Sequence, residues 1–307
     1  EVAIWSGTDL RNDVATIYNN GEPNDLNELA TPPTTWHRMG ENATWNGSIW
    51  TMTDVNGGYI SNSIFMVEAN RTTDVPTTPA FSNTKSIELD GIDDEVSMDF
   101  TSTSTTGSIS VWIKPTDYTT GSQSMCIYTS GGYRDYIMLH SQDTGGIRAV
   151  SANNGATKWD IRTNTGHLTN GVWTHICFVF NGTSGTFYIN GNSVTATYFN
   201  TTNTSWWWDD LLPTQQKLGV FRVNGYTTSL RYKGNIEEQS VYTSALSSTE
   251  VSAIYNNGLP TDLSSESNIL AWYRCGDNDT APTLTDNIGS NDGTMVFFNT
   301  FSTDVPT

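Results

Sequence analysis

Charge is scarce in this chain, and what there is has mostly one sign. Only 15% of the 307 residues are charged, with 32 acidic against 14 basic, for a formal net charge of −18. Such a surface repels phosphates, so nucleic acid is not expected as a partner, and anionic membrane surfaces are disfavoured for the same reason. A bound cation such as calcium is favoured, although solubility alone also accounts for the charge. Long apolar runs are missing too. Nothing approaches the roughly 20 residues of a spanning helix, so no membrane insertion is expected. The start carries no secretory-signal pattern; with Glu at position 1, the sequence reads as a processed chain or as part of a longer one. Cysteine is nearly lacking. The three present, Cys126, Cys177 and Cys275, are an odd number, which argues against a closed disulfide framework and for free, buried thiols.

Abundant instead are Thr, Ser, Asn and Gly, together with 11 Trp and 13 Tyr. This mixture suits short strands joined by polar turns, with bulky rings to fill a thin core. Seven Asn-X-Ser/Thr sequons, among them Asn42, Asn70 and Asn203, are what so much Ser and Thr produces by composition, and they do not by themselves indicate glycosylation.

The chain repeats itself. IYNNG occurs at residues 17–21 and again at 254–258, followed by EPNDL and LPTDL; WHRMG (Trp36–Gly40) matches WYRCG (Trp272–Gly276), and RTTDVPT (Arg71–Thr77) matches FSTDVPT (Phe301–Thr307). The offset drifts from 237 to 230 residues as loops differ in length. Residues 1–77 and about 238–307 are thus two copies of one segment, and 80–236 occur once. Met39 stands where the second copy has Cys275, so the position calls for an apolar side chain and not a bridge. The motif reads as a helix stop. In LSSTEVSAIYNNG, Ser247 is an N-cap with Glu250 completing a capping box. Val251, Ile254 and Tyr255 share a face, and Asn257-Gly258 ends the helix with glycine at positive φ. The first copy places Val14, Ile17 and Tyr18 on the face and Gly21 at the stop.

Between the copies the pattern is that of strands. In SISVWIKP (Ser108–Pro115), Ile109, Val111 and Ile113 alternate with Ser110 and Trp112. Trp173–Phe180 and Thr186–Asn190 are bounded by the turn signals Asn181-Gly182 and Asn190-Gly191. Ser86–Leu89, Tyr136–His140, Ile147–Ser151 and Leu218–Phe221 are further strands. The expected fold is an all-β, antiparallel two-sheet sandwich with one short C-terminal helix and a flanking partial repeat.

SIELDGIDDEV (Ser86–Val96), SISVWIKP, GVWTHICFVFNGTSGTFYINGN (Gly171–Asn192), KLGVF (Lys217–Phe221) and KGNIEEQSVYTSALSSTEV (Lys233–Val251) together resemble a laminin G-like domain of the concanavalin A-like jelly-roll superfamily, over most of residues 80–260. The resemblance implies a jelly-roll sandwich and an opening strand followed by an acidic turn. It leaves two arrangements open: residues 30–79 supply first strands to the central sandwich, or the unit is 80–307 and closes with its own segment 262–307, leaving 1–79 as part of a preceding unit. The repeat style also resembles laminin G-like structural and fibre proteins of bacterial viruses, particularly marine ones, which implies a virion-surface or other extracellular location.

The superfamily includes glucanases, whose Glu-x-Asp-x-Glu strand sets three acids on one face. Here Glu88 and Asp90 are followed by Gly91, and the third acid is missing; Glu237 and Glu238 are adjacent and so should point to opposite faces. The four His, including His37 and His175, lack partners at spacings suited to zinc or nucleophilic chemistry. The expectation is a protein that does not catalyse. Calcium takes carboxylate and carbonyl oxygens, which makes Asp90, Asp93, Asp94 and Glu95 one candidate site and Asp286, Asn291 and Asp292 another, against ordinary turn chemistry. For sugars, aromatic faces with polar rims are required. Trp206, Trp207, Trp208 and Asp209 in TSWWWDDLLP are the candidates, against covering the core, with Arg222, Tyr226, Tyr133 and Trp159 beside them. The reading is a structural or adhesion module that contacts glycans and self-associates, or joins other structural subunits, through 1–79 and 262–307. The alternative is a carbohydrate-binding module of a larger secreted enzyme.

Overall fold

The computed structural model describes residues 2–7, 9–11, 13–18, 24–38, 41–63, 65–70, 81, 83–224, 226–297 and 301–306, without the side chains of Ala15, Tyr18, Asn70 and residues 226–229. The first-copy stop at 19–21, Met39 and Gly40 of WHRMG, and RTTDVPT at 71–77 lie outside these residues. The chain forms two units, Glu1–Ala80 and Phe81–Thr307.

The second unit is an antiparallel jelly-roll sandwich. Its larger sheet has eleven strands, running in space from Ala196–Thr201 through Ala156–Thr163, Ile147–Asn153, Tyr136–Ser141, Gln123–Thr129, Gln215–Leu218, Glu95–Asp99 and Gly293–Val296 to Thr283–Leu284, with the hairpin Val220–Val223 and Tyr226–Arg231 to one side. The smaller sheet has eight: Asn192–Val194, Gly185–Ile189, Thr174–Phe180, Gly107–Pro115, Lys233–Tyr242, Ser86–Asp90 and Phe301–Ser302 in order, with Ile269–Tyr273 paired to Lys233–Tyr242. The stretch expected as one strand at Leu218–Phe221 is two, because Gly219 (φ 76°) turns the chain between them. Residues 262–307 supply Ile269–Tyr273 and Phe301–Ser302 to the small sheet and Gly293–Val296 to the large one.

Strand alternation sends Ile109, Val111 and Ile113 into the core between the sheets, where they meet Tyr128, Leu139, Ile161, Phe178 and Val241. One open end of this core is filled by Trp206–Leu211. Trp206, Trp207 and Trp208 are 5%, 0% and 0% exposed. Trp207 stacks on Phe180 with ring centres 4.4 Å apart, and Trp208 packs against Phe100 and Tyr128. Trp159 Nε1 donates to the Trp206 carbonyl at 2.7 Å. Gly107 is required beneath this plug, since a Cβ there would sit 2.4 Å from the Trp208 ring.

The opposite face of the small sheet carries a second apolar cluster beside buried polar residues such as Ser110 and His175, and helix Ser248–Tyr255 covers it through Val251 and Ile254, with Leu263 and Trp272 beside them. The capping box forms: Glu250 N donates to Ser247 Oγ at 3.3 Å, and Ser247 N to Glu250 Oε2 at 2.6 Å. The stop differs from expectation. Asn256 (φ 45°) and Asn257 (φ 55°) both take the left-handed conformation before Gly258 does, a region asparagine tolerates because its short side chain bonds locally.

The first unit repeats the closing segment of the second in its hydrogen bonds. Trp36 N donates to Asp54 Oδ1 at 2.8 Å, as Trp272 N does to Asp286 Oδ1 at 3.1 Å. Val55 N returns to the Trp36 carbonyl and Asn287 N to that of Trp272, each at 2.8 Å. Gly57 N reaches Asp54 Oδ2 at 2.9 Å, and Asn291 N reaches Asp286 Oδ2 at 3.2 Å. Asn27 N caps on Asp25 as Ser264 N caps on Asp262. The short pair Val2–Ile4 and Thr35–His37 aligns Ala3 with Trp36, as Ser240 aligns with Trp272.

Truncating the plug should unfold the sandwich first. Trp207→Ala is expected to cost about 3–5 kcal/mol in denaturant unfolding, and Trp207→Phe much less, since no partner of the indole N–H would be lost. An alanine variant as stable as the parent would contradict the burial.

Candidate functional site

Burial decides which sequence candidates can meet a ligand. Trp206, Trp207, Trp208 and Trp159 lie in the core, so the expected stacking platform does not exist: three adjacent rings hide far more apolar area in the open end of the sandwich than a solvent-facing loop would allow. Asp209 is exposed on the single helical turn Trp208–Leu211, and Tyr133 is exposed on a loop. Arg222 donates to Glu95 Oε1 at 3.0 Å. Tyr226 opens a strand, but its side chain lies outside the described residues.

The acidic turn divides. Asp90, Asp93 and Asp94 bring one carboxylate oxygen each within 4.8 Å of one another. Glu95 does not join them. It is buried on the strand Glu95–Asp99 against Arg222 and Lys217, which already balance its charge. Within the turn Asp94 Oδ2 accepts from Asp90 N at 2.8 Å, and Asp90 Oδ1 from Ile92 N at 2.6 Å. Asp94 Oδ1 is buried with no partner, and burial raises the Asp94 pKa. The other candidate, Asp286 with Asn291 and Asp292, is turn chemistry: Asp286 accepts the amides of Trp272, Ile288 and Asn291, and Asp292 Oδ1 accepts from Asp286 N.

Glu237 and Glu238 correct a second expectation. A β-bulge interrupts the strand between Glu237 and Ser240, with Glu238 at φ 46°. Ile236 and Val241 face the core and Gln239 donates to Tyr128 OH, so both acids fall on the far side of the sheet instead of opposite faces. They are 0% and 4% exposed. Trp272 Nε1 and Arg274 Nε donate to Glu238, and Phe81 lies over both Arg274 and Trp272. Burial and the neighbouring acid raise the Glu237 pKa to about 10, and burial raises Glu238 to about 7. A pair sealed in this way cannot flank a glycosidic bond.

On the same face of the small sheet lies a cleft of about 420 Å³, lined by Trp112, Trp173, Tyr255, Asn190, Asn257 and Gly258, with Gly171 and Val172 at its edge. Its floor follows from strand alternation. Trp112 occupies a non-core position of Gly107–Pro115 opposite His175, and Tyr255 from the last turn of the helix stacks on it with ring centres 5.7 Å apart. Trp173 is held by its indole N–H, which donates to Asp304 Oδ1 at 3.0 Å; Asp304 in turn pairs with Lys114. Asn190 Oδ1 accepts from His175 N at 2.9 Å, leaving its NH2 group as the donor it can offer. His175 behind the floor contacts Ser110 Oγ through Nε2 at 2.8 Å, and burial lowers its pKa to about 3, so the ring is neutral. The left-handed Asn257 and Gly258 form the lip, so the repeated IYNNG both ends the helix and shapes the cleft. Composition hid this site, but one sign was present: Trp112 interrupts the polar face of an otherwise alternating strand.

An antiparallel jelly roll with an aromatic cleft beside its terminal helix defines the class: a β-sandwich of the lectin type. The chain belongs to the concanavalin A-like lectin/glucanases superfamily, whose laminin G-type family model matches residues 89–252. Its fold is similar to that of a Bacteroides ovatus protein described as a candidate carbohydrate binding protein, at 13% identity over 100% of this chain and 90% of that one, with a TM-score of 0.56. Weaker similarity extends to the IT-sialidase CBM40 of Ruminococcus gnavus (17% identity, 57% of this chain and 98% of that one, TM-score 0.46) and to the heptameric SAP-like pentraxin of Limulus polyphemus (15%, 69% and 95%, 0.47). No curated protein matches. No described helix is long and apolar enough to cross a membrane.

The buried acids set a pH dependence. Between the ordinary value of 4.5 and their raised values, Glu237 and Glu238 keep protons that the unfolded chain releases. The folded state then binds more protons, so stability falls as pH rises. The unfolding free energy from denaturant titration should drop between about pH 5 and pH 7, by about 1.4 kcal/mol per pH unit for each proton held. Glu238→Gln should flatten that part, and Glu237→Gln the part that continues toward higher pH. A parent profile that is level from pH 5 to 7 would show the acids to be ionised or solvated.

Proposed function

We propose that the protein is a non-catalytic adhesion module that binds glycans in the cleft of Trp112, Trp173 and Tyr255, and that it works outside the cell, as a repeated structural component of a virion or cell surface. The observation that carries this reading is the cleft itself. Trp173 and Tyr255, both half-buried, offer its aromatic faces, with Trp112 buried beneath Tyr255; amide side chains stand at its rim, and none of its described lining residues is ionised, the composition a neutral sugar face requires. The sealed acid pair supports binding without hydrolysis. The internal repeat favours a surface array over the alternative, a binding module attached to a larger secreted enzyme.

Calcium is proposed at Asp90, Asp93 and Asp94. The donors suit a hard cation, and the unpartnered, buried Asp94 Oδ1 is the oxygen that most needs one. The ion would brace the turn that opens the sandwich. Assembly with other subunits is assigned to residues 1–79, because the strands within 262–307 are paired inside their own unit.

On a glycan array the parent should bind a defined subset of sugars, and Trp173→Ala and Tyr255→Ala should each weaken binding at least about 10-fold, the loss of one stacking contact of about 1.4 kcal/mol. An intact chain that binds no glycan ends this reading. Calorimetric titration with calcium should show one site in the parent and none in Asp94→Asn; equal heats in both would remove the metal.

A further inference from the structure

We infer that the first unit is the closing segment of a second sandwich, and that its open face is built to receive a sheet pair of the kind formed by residues 86–237, joined to Glu1 as that pair is joined to Glu238. The observation is a difference in burial between two segments with the same hydrogen bonds. In the loop around the tryptophan the copies agree: Trp36 and Trp272 are both buried, as are Leu26 and Leu263, and Asp54 and Asp286 hold the corresponding amides. In the strand and helix that precede that loop they part. Val2, Ile4 and Val14 are 50%, 58% and 60% exposed, whereas their counterparts Gln239, Val241 and Val251 are each fully buried.

The counterparts show what is missing. Val241 lies opposite Ile109 on the neighbouring strand Gly107–Pro115, and Gln239 reaches Tyr128 of the facing sheet. Val251 packs over the outer surface of the same small sheet, with Cys177 and Val179 in its cluster. Val2 and Ile4 alternate toward one side of their strand, and Val14, the first residue of helix Val14–Tyr18, aligns with Val251, the fourth residue of helix Ser248–Tyr255. An apolar set exposed at these register positions matches one partner shape: a central strand of the Gly107–Pro115 type with a facing sheet beneath it. The cost of leaving such residues in water also argues that the face is meant to be covered.

The test is a longer chain in which residues 81–237 are spliced directly ahead of Glu1 of the full protein, so that Glu1 stands where Glu238 does. Hydrogen exchange read by mass spectrometry should show the amides of 2–4 and 14–18 protected at least about 100-fold more than in the parent, in a species that stays monomeric by size-exclusion chromatography. Ile4→Asp and Val14→Asp should leave the parent's unfolding midpoint unchanged, since both sites are exposed there, and should abolish the added protection in the spliced chain. Unchanged exchange overturns the inference, as does protection confined to oligomers. Failure of the spliced chain to fold also counts against it, because residues 81–237 fold when followed by their own closing segment.

Discussion

The constraint on which the second unit depends is that its small sheet is buried on both faces. One face, with Ile109, Val111, Phe178 and Val241, packs on the large sheet; the other, with Cys177, Val179, Tyr242 and Trp272, would face water if nothing lay over it. A strand cannot turn an apolar set away from solvent on two sides without two partners. The helix Ser248–Tyr255 is therefore not an ornament at the end of the jelly roll. It is too short to persist alone and exists because the sheet below needs a cover. Where the helix stops, the cover stops: its own last residue, Tyr255, closes over the buried Trp112 and stays half-buried at the edge of the cleft. The cleft is a consequence of how far one helix extends.

The same constraint explains why two local features defeated simple periodicity. Glu237 and Glu238 sit where alternation would send one of them into the hydrophobic core. The bulge removes that cost by giving both to the outer face, but it leaves two carboxyls under Phe81, Trp272 and Arg274, with one cation in their immediate company. Protonation is the cheaper way to bury the second acid. A two-residue period cannot reveal such a bulge, because its signature is a backbone conformation, here Glu238 at positive φ, and not a residue type. The three tryptophans are the complementary case. Their residue type was plain and their setting was not, since a loop of rings can face sugar or core, and only the gap between two sheets of unequal size decides the matter.

Much of the fold was legible for identifiable reasons. The strands Ser108–Pro115 and Trp173–Phe180, the capped helix at Ser247 and the family resemblance all rest on local patterns that tertiary contacts reinforce, and they appear within a residue or two of expectation. All three thiols are buried and free. Of the candidate site residues, Asp90, Asp93 and Asp94 do come together, because three acids in one tight turn have nowhere else to go. The aromatic cleft was not legible. Trp112, Trp173 and Tyr255 are far apart in the chain and each has a sufficient local explanation as strand or helix packing; only the antiparallel pairing of Gly107–Pro115 with Thr174–Phe180, capped by the helix, collects them.

The repeat adds a further step, because it separates what a closing segment does for itself from what it does for its sandwich. Trp36 and Leu26 are buried in the first unit, whose described residues form no jelly roll, so the loop that wraps Trp36 in one copy and Trp272 in the other is a self-sufficient piece of structure, held by one aspartate receiving several amides in each copy. The strand and helix that precede it are not self-sufficient. Val2, Ile4 and Val14 are exposed where their counterparts Gln239, Val241 and Val251 are buried. On the arrangement inferred above, local and global preferences would agree in residues 1–18 as well, and the short pair Val2–Ile4 and Thr35–His37 would be the edge at which a sheet joins.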